Sequence, residues 1–160
     1  GQLALYLTMY SPLQMAADLP ENYKKFNDAF QFIKDVPCDW SQSIYLEAEP
    51  ADYITVARQD KNSNDWYIGG KCDENGHKSV LKLDFLDKDY VYDCTIYADA
   101  KDADYKNNPK AYKITHRKVK KGDVLKLTMA PGGGFAISLM ARWNGEEYAE
   151  QLTKVNNTDF

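Results

Sequence analysis

A chain of 160 residues with net charge −4 and pI near 5.2 can bury one real core, but it offers no basic field to meet phosphates. A nucleic-acid surface is therefore excluded. No apolar run approaches the roughly 18 residues of a membrane span, and no basic segment precedes one, so neither a membrane helix nor an export signal is read. Twelve tyrosines and three tryptophans are unusually many, and they suit either half-buried strands or stacking on sugar rings.

Leu3–Tyr10 is apolar nearly all round, the pattern of a helix buried on every side. Ser11-Pro12 ends it, and Leu13–Ala17 is fit for a short buried strand. Asp18-Leu19-Pro20-Glu21 then starts a helix, with Asp18 either its cap or, at the end of a barrel strand, a group at a catalytic rim. That helix is predicted from Pro20 to Asp35, with Tyr23, Phe26, Phe30 and Ile33 on one stripe. Helix, short strand and helix is the rhythm of an α/β barrel.

From Trp40 the hydrophobic period changes to two. Strands are predicted at 43–47, 53–59, 66–71, 79–85, 90–98, 112–119, 124–129 and 135–140, separated by turn-rich stretches. Eight short strands at this spacing predict an antiparallel sandwich or barrel. The last two flank Ala130-Pro-Gly-Gly-Gly134 and read as a hairpin closed by a tight glycine turn. A phosphate loop would need a terminal Lys-Ser/Thr and a helix behind it, and here Phe135 opens a strand.

Candidate chemistry is sparse. Glu47 and Glu49 share a strand face and Asp73-Glu74 lies in a turn, but no carboxylate sits in an apolar run that would raise its pKa for acid catalysis. Asp99, Asp102 and Asp104 lack the glycine and distal glutamate of a calcium loop. Cys38, Cys72 and Cys94 form no paired motif, and His77 and His116 have no companion at ligand spacing, so no metal site or disulfide framework is expected. The basic run His116–Lys121 reads as a solvated strand end, and Asn156-Asn-Thr158 as a chance sequon.

Five segments, taken together and in order, resemble a known family. They are Leu3-Ala-Leu-Tyr…Ser11-Pro-Leu-Gln-Met-Ala-Ala-Asp18…Glu21-Asn-Tyr23, Val36-Pro-Cys-Asp-Trp40, Tyr53-Ile-Thr-Val-Ala-Arg58, Asp65-Trp-Tyr-Ile-Gly69 and Met129-Ala-Pro-Gly-Gly-Gly-Phe-Ala136. They are similar to the C-terminal region of glycoside hydrolase family 97, whose members are α-glucosidases and α-galactosidases acting outside the cytoplasm. The resemblance implies a β-sandwich of about eight strands preceded by a helix–short strand–helix remnant of a (β/α)8 barrel. Residues 1–37 would be the barrel end, 38–141 the C-terminal sandwich and 142–160 a tail.

The same resemblance implies that the catalytic carboxylates and the calcium ion of the parent enzyme belong to the barrel upstream. This chain is then expected to hold no catalytic residue, cofactor or metal, to support the barrel, and to work in the periplasm or outside the cell. A second reading is a carbohydrate-binding module with Trp66, Tyr67, Tyr97 and Tyr105 as candidates for stacking on an α-linked oligosaccharide. A third is a partner-binding domain marked by an apolar surface patch. The apolar segment 2–17 is expected either to fold onto the β-domain or to pair between two copies as a homodimer.

Overall fold

The computed structural model describes residues 1–9, 11, 13–16, 19–100 and 111–144. Three short helices, α1 (Gln2–Thr8), α2 (Pro20–Lys24) and α3 (Asn27–Asp35), precede eight strands. These are β1 (Trp40–Glu49), β2 (Tyr53–Asp60), β3 (Trp66–Cys72), β4 (His77–Lys82), β5 (Tyr90–Asp99), β6 (Tyr112–Lys120), β7 (Val124–Met129) and β8 (Gly134–Trp143). All eight predicted strands form, with ends shifted by up to three residues. The fold is mainly β: a six-stranded sheet in the order β1-β2-β3-β8-β5-β6 faces a two-stranded sheet, β4-β7, and every pairing is antiparallel.

Strand alternation sorts the large sheet into two faces. Ala57, Trp66, Ile68, Tyr92, Cys94, Ile96, Phe135, Ile137 and Leu139 point to the small sheet and meet Leu81, Leu125 and Met129 in the main core. Tyr67 and Ala136 point the other way and pack with Leu7, Phe32 and Val36 in a second cluster, so helices lie on the outer face. β8 is buried on both faces from Gly134 to Leu139 because one face meets each layer.

The glycine run does not close a hairpin. β7 pairs with β4 in the small sheet, while β8 runs between β3 and β5 in the large one. Ala130–Gly133 is thus a crossing between sheets. The two strands alternate as a hairpin would, but Leu125 and Met129 are needed opposite Ile137 and Leu139 across the core, not beside them. Gly132 has φ +67°, and a Cβ on Gly133 would lie 2.0 Å from Asp99 Oδ2. That carboxylate oxygen accepts from the backbone N–H groups of Ala130 (3.2 Å) and Gly134 (2.9 Å). Lys71 Nζ donates to the Gly132 carbonyl and, at 3.2 Å, to that of Gly133.

The helical segment departs further from expectation. α1 is not buried all round: Ala4 and Leu7 are covered while Leu5 is 38% exposed, since a helix lying on one sheet has only one stripe to bury. Residues 13–16 form no strand, and Leu13 and Met15 are exposed. A strand needs a neighbour to satisfy its N–H and C=O groups, and none of the described strands pairs with this segment. The helix predicted over 20–35 is broken at Lys25–Phe26, where Phe26 leaves helical geometry (φ −132°, ψ 48°). The break resets the phase, so Phe32 becomes the residue that α3 buries most, at 1% exposure, and Ile33 is only partly covered. Tyr23 and Phe30 stack across the break with ring centroids 4.6 Å apart.

Candidate functional site

The most specific arrangement on the outer face is the seat of α1. Gly69 and Gly134 form its floor. A Cβ on Gly69 would stand 2.6 Å from Leu7 Cβ and 3.0 Å from the Ala4 carbonyl oxygen, and one on Gly134 would meet Ala4 Cβ at 3.4 Å. Only glycine lets the helix backbone approach the sheet this closely. Arg58, 6% exposed, rises beside the floor. Its Nε donates to the Leu7 carbonyl at 2.7 Å and its Nη1 to Ser43 Oγ at 2.7 Å. A cation on a carbonyl of the last turn satisfies an orphan acceptor and suits the negative end of the helix.

α3 is held in a parallel way. The Tyr67 hydroxyl donates to the Asp35 carbonyl at 3.2 Å, and its ring stands edge-on to Phe32 and Trp40. Burial pushes that hydroxyl's pKa well above the usual tyrosine value. At the other end of α3 the Tyr112 hydroxyl of β6 donates to Asp28 Oδ1 at 2.7 Å. That bond lowers the Asp28 pKa, while desolvation first and the same bond second push Tyr112 up to about 12.

Three of the four stacking candidates are used by the fold. Trp66 is 2% exposed, inside the main core with its ring 4.7 Å from Phe85. Tyr67 is 3% exposed beneath α3. A buried ring has no face to offer a sugar, so the reading that Trp66 and Tyr67 stack on carbohydrate is corrected. Their alternation in β3 was legible, but a strand with layers on both sides buries both its odd and even residues. Tyr97 is half-buried, edge-on to Phe32 at 5.3 Å. Tyr105 lies outside the described residues, as do Asp18, Asp102, Asp104 and the sequon at 156–158. The N-cap position of α2 is Leu19, which gives no side-chain cap.

The acids are taken up locally. Glu47 bridges the open side of the sandwich: Oε1 accepts the edge N–H of Val80 in β4 at 3.1 Å, and Oε2 lies 3.4 Å from His77 Nε2. His77 in turn stacks on Tyr53 at 3.6 Å. Asp73 accepts from the backbone and side chain of Asn75 and shapes its own turn. Glu49 is exposed on the strand face it shares with Glu47. A shallow depression of about 360 Å³ over β5 and β6 is lined by Asp93, Cys94, Thr95, His116, Arg117 and Lys118. Three of its polar groups are engaged, Asp93 by Arg142 and Thr95 and His116 by each other. Among the described residues no group of three or more His, Cys, Asp or Glu side chains is placed to hold a metal, so they give the calcium of the resemblance no ligand set. Cys38, Cys72 and Cys94 are free thiols, and burial raises Cys94 to about 12.

Sequence reasoning missed Arg58 and the glycine floor. Gly69 closes one of the segments that carry the resemblance and Gly134 belongs to the glycine run, but neither reads as a seat for a helix, although a strand glycine does signal a close backbone approach. Arg58 closes another of those segments, Tyr53–Arg58, but nothing in the segment says that it reaches a helix 51 residues upstream.

The described residues thus form an unequal antiparallel β-sandwich with helices seated on its larger sheet. A family model described as Glycosyl-hydrolase 97 C-terminal, oligomerisation, matches residues 39–140. The chain belongs to that family. It is 35% identical over 138 residues to a retaining alpha-galactosidase of Bacteroides thetaiotaomicron, covering 86% of this chain and 20% of that protein. It also matches a glycoside hydrolase family 97 enzyme from Pseudoalteromonas sp. strain K8, solved in complexes with panose and with acarbose. There the identity is 47% and the TM-score 0.86, over 88% of this chain and 22% of that one. A beta-arabinopyranosidase shares the fold, with TM-score 0.68 and 24% identity over 86% of this chain and 20% of that one. The chain thus spans about a fifth of the length of these relatives.

Proposed function

We propose that this chain is the C-terminal accessory part of an α-glycosidase that hydrolyses α-linked sugars, that it supports the catalytic barrel, and that it has no hydrolytic activity alone. On this reading α1–α3 are the end of the barrel, residues 38–141 the supporting sandwich, and the catalytic carboxylates and calcium reside in the upstream barrel. The parent enzyme works in the periplasm or outside the cell. Oligomerisation, named in the family's description, is the domain's second role.

The observation that carries the reading is the seat. A glycine floor, a buried arginine on the last turn of α1 and a buried tyrosine on the end of α3 are specific contacts to helix ends. They fit a surface that docks helices of a larger body. The purified chain is expected to release no nitrophenol from nitrophenyl α-glucoside or α-galactoside. Measurable release by the chain alone overturns the reading.

A further inference from the structure

The large sheet has two edges, and they are built differently. β6 carries Lys113, Arg117, Lys118 and Lys120, with His116 between them. Cations along an edge set like charges against one another when two such edges meet, which blocks sheet-to-sheet pairing. β1 carries no charged side chain from Trp40 to Leu46, and Tyr45 stands 66% exposed in the middle of that run. Its pairing with β2 is irregular between Trp40 and Gln42 and again between Tyr45 and Glu47, while Gln42–Tyr45 stays in unbroken register. Those four residues hold no lysine, proline or bulge, the devices that protect an edge.

The small sheet offers no comparable edge. β4 presents Lys78 and Lys82 and has its Val80 N–H taken by Glu47, and β7 has Lys126 near its centre.

We infer that β1 is the self-association edge of this domain, pairing antiparallel with β1 of a second copy about a two-fold axis at Ile44. The inference rests on the oligomerisation reading and names its surface. An antiparallel edge is self-complementary under a two-fold axis, so one patch serves both copies. With Ile44 opposite Ile44 of the second copy, Ser43 stands opposite Tyr45, and each facing pair keeps its side chains on one face of the joined sheet. The two six-stranded sheets then run into one another, and main-chain hydrogen bonds supply the contact as in strand addition. The basic β6 edges lie at the far ends, away from the junction.

Sedimentation velocity over a concentration series tests this with the chain itself and two variants, Tyr45→Lys on β1 and Lys113→Glu on β6. Wild type and Lys113→Glu are expected to self-associate equally. Tyr45→Lys should weaken association by about tenfold, since a lysine on an edge strand opposes strand addition, with circular dichroism unchanged. Hydrogen exchange on the unmutated chain gives a second readout, with protection of the Ser43 and Tyr45 amides, which face away from β2, rising with protein concentration. Association that Tyr45→Lys leaves intact, or concentration-independent exchange at Ser43 and Tyr45, overturns the edge assignment and leaves oligomerisation standing. A wild-type chain that stays monomeric at every concentration removes the oligomerisation reading, and this inference with it.

Discussion

The two faces of the large sheet do different work. The inner face is large and apolar: Trp66, Ile68, Tyr92, Phe135, Ile137 and Leu139 interlock with Leu81, Leu125 and Met129. The outer face is flatter and partly polar, with Gly69, Gly134 and Ala136 under α1 and buried Arg58 beside them. Interlocking side chains fix one fold and tolerate little change. A flat floor with a few directed hydrogen bonds fixes instead where another element lies. The inner face makes the domain, and the outer face seats α1 and α3.

The largest expected effect is on the inner face. Trp66→Ala should cost about 3–5 kcal/mol, the range for emptying a buried aromatic site, and in urea it should lower the single midpoint of the whole β-domain. A loss confined to the helices would break the distinction between the faces.

Arg58→Met comes next. It keeps the stem of the side chain but leaves the Leu7 carbonyl and Ser43 without their donor. The expected cost is about 1–3 kcal/mol, as for a buried acceptor left unsatisfied. Faster amide exchange in α1, with β3, β5 and β8 still protected, is the signature to look for.

Alkaline titration separates the faces by chemistry. Cys94 on the inner face has its thiol raised by burial from an ordinary 9.0 to about 12. Tyr112, at the helix side, is raised from 10.0 to about 12, mainly by desolvation and then by its bond to Asp28. A group raised in the folded state contributes stability that is complete below its unfolded value and lost as pH climbs through the folded one. Stability should therefore fall from about pH 9 upward. Cys94→Ala should flatten that fall more than Tyr112→Phe, because Cys94 is buried and Tyr112 lies near solvent.

The smallest effect is Tyr112→Phe at neutral pH. Its bond to Asp28 is solvent-exposed, so about 0.5 kcal/mol is expected, read as a slight shift in thermal midpoint.

Much of this was legible in the sequence, and the exceptions share a cause. The strands were readable because alternation at Leu125–Met129 or Phe135–Leu139 is a local signal. Partner choice is not local. Nothing within Val124–Leu139 tells a hairpin from a crossing between sheets, and the burial of Leu125 against the inner face decides it. The break at Phe26 was invisible for a similar reason: the stripe Tyr23, Phe26, Phe30 continues through it, while the Phe26 ring is drawn to Tyr112 of β6, 6.2 Å away. The aromatics of β3 looked available to sugar because one-face alternation assumes one wet face, and here the helices cover it. The seat itself was written only as two glycines, whose meaning depends on α1 arriving from more than sixty residues upstream.

Gly69→Val tests the division of labour most directly. The substituted Cβ would stand 2.6 Å from Leu7 Cβ and 3.0 Å from a helix carbonyl, so α1 must lift. Valine otherwise suits a strand. Hydrogen exchange on this variant should show Gln2–Thr8 exchanging freely while the amides of β3, β5 and β8 keep wild-type protection. Loss of protection in those strands together with α1, or an α1 that stays protected, would contradict the claim that the outer face is a seat on an independently built domain.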